Sequence, residues 1–71
     1  MNKKIVLSMN LPLRIENTEG KKATLELNKF EYIVCRYSSG ECYSLNDVDL
    51  ENWYPSSKFR NIIYRIRNMV S

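Results

Sequence analysis

Residues 55–70 read PSSKFRNIIYRIRNMV, and the periodicity of this stretch decides the fold. Pro55 followed by two serines is typical of a helix start, because a serine side chain can cap the first exposed backbone N–H groups. At about 100° per residue, the apolar side chains fall within an arc of about 120°. They are Phe59, Ile62, Ile63, Ile66, Met69 and Val70. The stretch therefore predicts an amphipathic helix over 56–70, whose apolar stripe packs against the sheet.

The first third of the chain alternates between apolar and polar residues, which is typical of strands with one buried face. The alternation runs from Ile5 to Ile15 and predicts a first strand. Pro12 lacks the N–H that a sheet ladder needs, so this strand lies at a sheet edge or bends there. Residues 17–20 have the composition of a turn, and 23–27 predict a second strand that forms a hairpin with the first.

Residues 30–37 predict a third strand, because they are rich in aromatic and β-branched side chains; apolar residues on both faces make it central. A turn at 38–41 and a short fourth strand at 42–45 follow, and 46–54 predicts a loop or short helix. We therefore expect an α+β fold. A small antiparallel sheet of three to four strands carries one C-terminal amphipathic helix packed on one face. Residues 1–71 form a single domain.

Composition indicates a folded protein, with 44% hydrophobic and 27% charged residues. No apolar run approaches the roughly 18 residues of a membrane span, so we expect no membrane partner. Residues 1–4 are basic like the start of a signal peptide. The apolar run that follows at 5–7 is too short for one, and we expect a cytoplasmic protein.

Residue types that most enzymes need are missing from the sequence. It has no His, the commonest general base, and its two glycines lie in predicted turns rather than in a phosphate-binding loop. Cys35 and Cys42 have no His to activate them or to complete a zinc site. A turn at 39–40 would place the two thiols diagonally on one sheet face, so we expect them to be reduced. We expect no enzymatic activity, no cofactor and no metal.

Charge is distributed unevenly along the chain. Residues 41–51 carry four acids and no base, whereas 52–71 carries four bases and no acid. Such asymmetry favours an anionic partner for the basic block, or two faces that neutralise each other in the fold. The helix side chains that could contact nucleic acid are Lys58, Arg60, Asn61, Tyr64, Arg65 and Arg67. Alternatively, the long basic side chains cover the sheet with their stems and keep their charges in water.

Aromatic residues outside the helix are the second candidate site. We predict a protein interface at four of these residues, because Tyr and Trp supply anchoring contacts. They are Tyr37, Tyr43, Trp53 and Tyr54. With the turn at 39–40, Tyr43 would share one face with Val34, and Tyr37 the other with the two cysteines. The alternative is that these rings complete a small core.

These patterns favour a small non-enzymatic protein-interaction module that binds a larger protein. Its size and Asn/Lys/Ile-rich composition favour an inhibitor or accessory factor of viral or mobile-element type. The alternative is a nucleic-acid-binding regulatory module that uses the basic helix. A homodimer is a further alternative for the aromatic surface.

Overall fold

The computed structural model describes residues 1–70 and has an α+β fold. A five-stranded antiparallel sheet has the strand order β4-β3-β2-β1-β5. The helices and strands are α1 (Lys3–Val6), β1 (Leu13–Asn17), β2 (Lys22–Leu27), β3 (Ile33–Tyr37), β4 (Cys42–Ser44), β5 (Trp53–Pro55) and α2 (Lys58–Val70). The predicted fold class is confirmed, with five strands rather than three to four.

One face of the sheet forms the core. Leu13 pairs with Leu25, which pairs with Cys35, so these three buried side chains cross the sheet in one row. Ile15 and Ala23 form the next buried row. The core is completed by side chains from outside the central strands, namely Val6, Met9, Leu45, Val48 and Leu50. Buried apolar surface on one face of a sheet, covered by short elements, is the arrangement that the alternating pattern predicts.

The N-terminal segment covers the core instead of pairing in the sheet. Asn2 caps α1, because its Oδ1 accepts a hydrogen bond from the Lys4 N–H at 2.9 Å. The prediction of a strand beginning at Ile5 was therefore wrong, and β1 begins only at Leu13, after a cis Leu11–Pro12 peptide bond. The segment buries Ile5, Val6 and Met9 and leaves Leu7 exposed, which is the spacing of a helical turn rather than of a strand. Within residues 5–15, burial alternates only from Met9 to Ile15.

The C-terminal part of the sheet contains a strand that the sequence did not predict. Residues 45–47 form one turn of 3-10 helix, which agrees with the short-helix alternative expected for 46–54. Trp53–Pro55 then pairs with β1 as an edge strand, with Ile15 opposite Pro55. Three residues ending in proline give too short a pattern to indicate a strand, but an edge position tolerates the missing proline N–H.

The β3–β4 hairpin has a different register from the predicted one. Cys35 pairs with Tyr43, and Arg36 pairs with Cys42. The connecting loop has three residues, and a one-residue change of register moves each side chain to the other face. Tyr43 therefore shares the core face with Cys35 and Tyr37, whereas Cys42 is exposed on the opposite face. The two cysteines are not bonded to each other.

Candidate interaction surfaces

The helix α2 contacts the rest of the protein through one mixed polar and apolar face. Ile63 and Tyr64 pack against the core. The Arg60 guanidinium donates a hydrogen bond to the backbone carbonyl of Asn10. Arg67 Nη1 donates to the backbone carbonyl of Ser8 at 2.6 Å and to its Oγ at 3.0 Å. These contacts fix which side of the helix faces the N-terminal segment.

The apolar face of α2 points to solvent. We call this face the α2 stripe, and its exposed fractions are 71% for Phe59, 55% for Ile62, 56% for Ile66, 85% for Met69 and 82% for Val70. The prediction that the sheet covers the whole stripe was wrong, since only Ile63 of the six apolar residues packs on the core. The N-terminal segment and residues 45–50 already fill the space over the sheet.

The basic residues of α2 divide into two pairs. Arg60 and Arg67 are engaged by backbone carbonyls of the N-terminal segment. Lys58 and Arg65 are exposed, and on the helical wheel they border the α2 stripe on its other side. Within residues 1–70, the ion pair that forms is Arg36–Glu26 at 3.1 Å, so no ion pair joins α2 to the acidic stretch.

Two other members of the predicted nucleic-acid set also face the protein. The Tyr64 hydroxyl accepts a hydrogen bond from the backbone N–H of Asn2 at 2.7 Å. Asn61 is half-buried. Of the six predicted residues, Lys58, Arg65 and Arg67 are exposed, and Arg67 is bonded to Ser8. Lys58 and Arg65 alone are a small footprint for a phosphate backbone.

Three of the four aromatic residues predicted as an interface form one cluster. The ring centroids of Tyr37 and Tyr43 are 5.7 Å apart at an interplanar angle of 72°, and those of Tyr37 and Trp53 are 5.8 Å apart at 58°. Tyr54 does not join them. It alternates with Trp53 along β5 and pairs with Glu16 on the opposite sheet face. The structure therefore separates Tyr54 from the cluster that the other three residues form.

The aromatic cluster lies in an open depression of about 800 Å³, which we call the aromatic depression. Tyr37, Tyr43 and Trp53 line it. Most of the acidic stretch borders it, and so do residues of the β1–β2 loop. The charged residues of this border are Glu19, Lys21, Lys22, Glu41, Asp47, Asp49 and Glu51. Five carboxylates against two lysines make the border negative.

Burial and hydrogen bonding shift the proton equilibria of this cluster. The Tyr43 hydroxyl donates to Glu41 Oε2 at 3.1 Å, and this bond together with the Glu41 charge raises the pKa of Tyr43. Burial is the main cause that raises the pKa of Tyr37 and of the Cys35 thiol. All three groups are therefore held in their neutral forms at neutral pH.

Within residues 1–70, no group of three or more His, Cys, Asp or Glu side chains is arranged to hold a metal ion. The same residues include no helix of sufficient length and apolar character to cross a membrane.

The periodicity of residues 56–70 predicted the α2 stripe, but it could not show whether another part of the chain covers this stripe. An amphipathic helix on a small domain usually closes the core, and that rule led to the wrong interpretation here. Comparison with known proteins gave no match to any family model, curated protein or solved structure.

Proposed function

We propose that this chain is a non-enzymatic protein-interaction module that binds a larger protein through the α2 stripe. The observation that carries the proposal is the exposure of five large apolar side chains on one helix face. Contiguous exposed apolar surface is costly in water and commonly marks an interaction site. An amphipathic helix that lays such a face into an apolar groove is a recurring mode of protein recognition.

The charges around the stripe favour an acidic rim on the partner's groove. Lys58 and Arg65 border the stripe, and residues 52–71 contain no acid. Carboxylates at the rim of the groove would pair with these two cations. Pairing of two α2 stripes in a homodimer is disfavoured, because it would place the cationic border of one helix beside that of the other.

An inhibitor or accessory role follows from this mode of binding. A chain of 71 residues that occupies a groove on a larger protein acts by blocking that groove or by stabilising one conformation of its partner. The nucleic-acid alternative loses support, because Arg60, Tyr64 and Arg67 hold α2 against the N-terminal segment.

The proposal is tested by site-specific photo-crosslinking followed by binding measurements. Benzoyl-phenylalanine replaces Phe59 in the stripe and, as a control, Tyr54 on the opposite side of the sheet. We expect one discrete crosslinked protein from the Phe59 position and none from Tyr54. The purified partner should then bind the native chain, and Ile62→Gln/Ile66→Gln should weaken binding at least tenfold by calorimetry.

Three results would contradict the proposal. They are a Phe59 crosslink only to a second copy of the chain, retained partner binding in the Ile62→Gln/Ile66→Gln variant, and preferred binding to labelled DNA, RNA or anionic vesicles. Nucleic-acid binding should be examined with Lys58→Gln/Arg65→Gln. Charge reversal at Arg60 and Arg67 would also detach the helix from the N-terminal segment.

A further inference from the structure

We propose that the aromatic depression is a second binding site, which takes a cationic side chain, arginine or lysine, from a peptide segment of a partner. This site is separate from the α2 stripe and does not depend on the function proposed for it. Its primary observation is the cluster of three aromatic rings, and the charges on its border determine which ligand it suits.

Tyr37 and Trp53 pack against the core, and all three rings also line the depression. Tyr43 is 43% exposed, and Tyr37 and Trp53 are half-buried. Interplanar angles of 72° and 58° show that the rings are not stacked in one layer. Aromatic faces attract ammonium and guanidinium groups that approach within about 6 Å of the ring centroid.

The border of the depression favours a positive ligand over a neutral one. Glu41 lies beside Tyr43, since its carboxylate accepts a hydrogen bond from the Tyr43 hydroxyl. Burial lowers the pKa of the Met1 amino group, and the charges of Asp49 and Glu51 oppose this effect, so these two carboxylates act on a cation of this chain. Together with the other acids they raise the local concentration of cations, whereas Lys21 and Lys22 lie on the same border and limit the effect.

The openness of the depression favours a side chain on a peptide over a small free molecule. Pockets for small ligands usually enclose most of the ligand surface. Here about 800 Å³ is open to solvent and lined by residues from three separate loops. A peptide can lie across such a surface, with one basic side chain against the rings and neighbouring residues along the acidic border.

The fluorescence of Trp53, the single tryptophan of the chain, reports on the site directly. The protein is titrated with blocked tri-arginine, tri-lysine and tri-glutamine peptides at low and at physiological salt. We expect a saturable change with the two basic peptides, weaker at the higher salt, and none with tri-glutamine. Tyr43→Ala should weaken binding about 2–5-fold, as loss of a cation–π contact implies. Tyr43→Phe, which keeps the ring, should retain it.

Matched changes on the opposite sheet face provide the control. Tyr54→Ala and Glu16→Gln alter the same residue types outside the depression and should leave peptide binding unchanged, whereas Glu41→Gln should weaken it. Thermal melts establish that each variant is folded. Absence of a saturable signal, equal binding of tri-glutamine, or equal loss in Tyr54→Ala and Tyr43→Ala would overturn the proposal. Ile62→Gln/Ile66→Gln should retain peptide binding, so a failure at one surface is distinguishable from a failure at the other.

Discussion

In two of the hairpins, one asparagine side chain holds the loop closed by the same pair of hydrogen bonds to backbone N–H groups. Asn17 Oδ1 accepts hydrogen bonds from the backbone N–H groups of Glu19 at 3.0 Å and Lys21 at 2.8 Å. Asn28 Oδ1 makes the equivalent bonds in the next hairpin, at 2.9 and 3.0 Å. Each loop has three residues, and the third adopts a positive φ. Such loops join antiparallel strands without straining their twist when that third residue tolerates the left-handed region.

Glu31 occupies this left-handed position with φ of 66°, where Gly20 and Gly40 stand in the other two hairpins. A side chain with a Cβ is disfavoured in this region. We expect Glu31→Gly to raise the free energy of unfolding by about 0.5–1 kcal/mol. Gly20→Ala is the matched control and should lower it by a similar amount, although a Cβ there has nothing within 4 Å to clash with. Urea denaturation measures both, and a loss of stability in Glu31→Gly would contradict the interpretation.

We expect ionisation of the Cys35 thiol to make the free energy of unfolding depend on pH. Burial raises its pKa above the ordinary value of 9.0, and the nearby Tyr37 pKa is raised above 10.0. The unfolded chain therefore releases these protons at lower pH than the folded protein does. The free energy of unfolding should then fall as pH rises above about 9.

Urea denaturation between pH 7 and pH 10.5 tests this expectation. Cys35→Ala should be less stable at pH 7 because it leaves a cavity, but its stability should decline less steeply above pH 9. Cys42→Ala is the control and should keep most of the native pH dependence, because burial is the main cause of the Cys35 pKa shift and the charge of the exposed Cys42 contributes least to it. An unchanged slope in Cys35→Ala would show that the thiol does not contribute.

At the scale of elements, α2 has one face that packs against the core and another that is exposed to solvent. Ile63 packs against the core, whereas Ile62 and Ile66 are exposed. We expect Ile62→Gln/Ile66→Gln to change the free energy of unfolding by no more than about 0.5 kcal/mol per residue, as for other surface substitutions. Ile63→Gln should cost about 1–3 kcal/mol, because it places an amide against apolar side chains. If the Ile62 and Ile66 changes destabilise the protein as much as Ile63→Gln, the stripe belongs to the core.

Elements with a local sequence signal were predicted well, and those that depend on tertiary contacts were not. The helix over 58–70 and the strand over 22–27 followed from periodicity and flanking turns. The strand at 53–55 had no such signal, because it forms only by pairing with β1. The aromatic cluster was found only in part. The loop register that places Tyr43 on the core face is set by one residue in the 38–40 loop, and composition does not determine it.

In the whole molecule, the two candidate surfaces have borders of opposite charge. The aromatic depression is bordered mainly by acids from 41–51, and the α2 stripe is bordered by Lys58 and Arg65. Of the two alternatives for the uneven charge, neutralisation of one block by the other has no support within residues 1–70, where the ion pair formed is Arg36–Glu26. Both charged surfaces are therefore exposed to solvent without neutralising each other.

The N-terminal segment covers the core in place of the α2 stripe, and the stripe therefore stays exposed. Val6 is fully buried, whereas its neighbour Leu7 is 59% exposed. A domain of this size has a net stability of about 3–5 kcal/mol, so the loss of one buried side chain is a large fraction of it. We expect Val6→Ala to cost about 2 kcal/mol and to lower the melting temperature by roughly 8–16 °C. Leu7→Ala, a larger truncation one residue away, should shift it by no more than a few degrees. Thermal melts followed by circular dichroism distinguish the two. If Leu7→Ala destabilised the protein more than Val6→Ala does, Leu7 rather than Val6 would face the core, and the packing described for the N-terminal segment would be wrong.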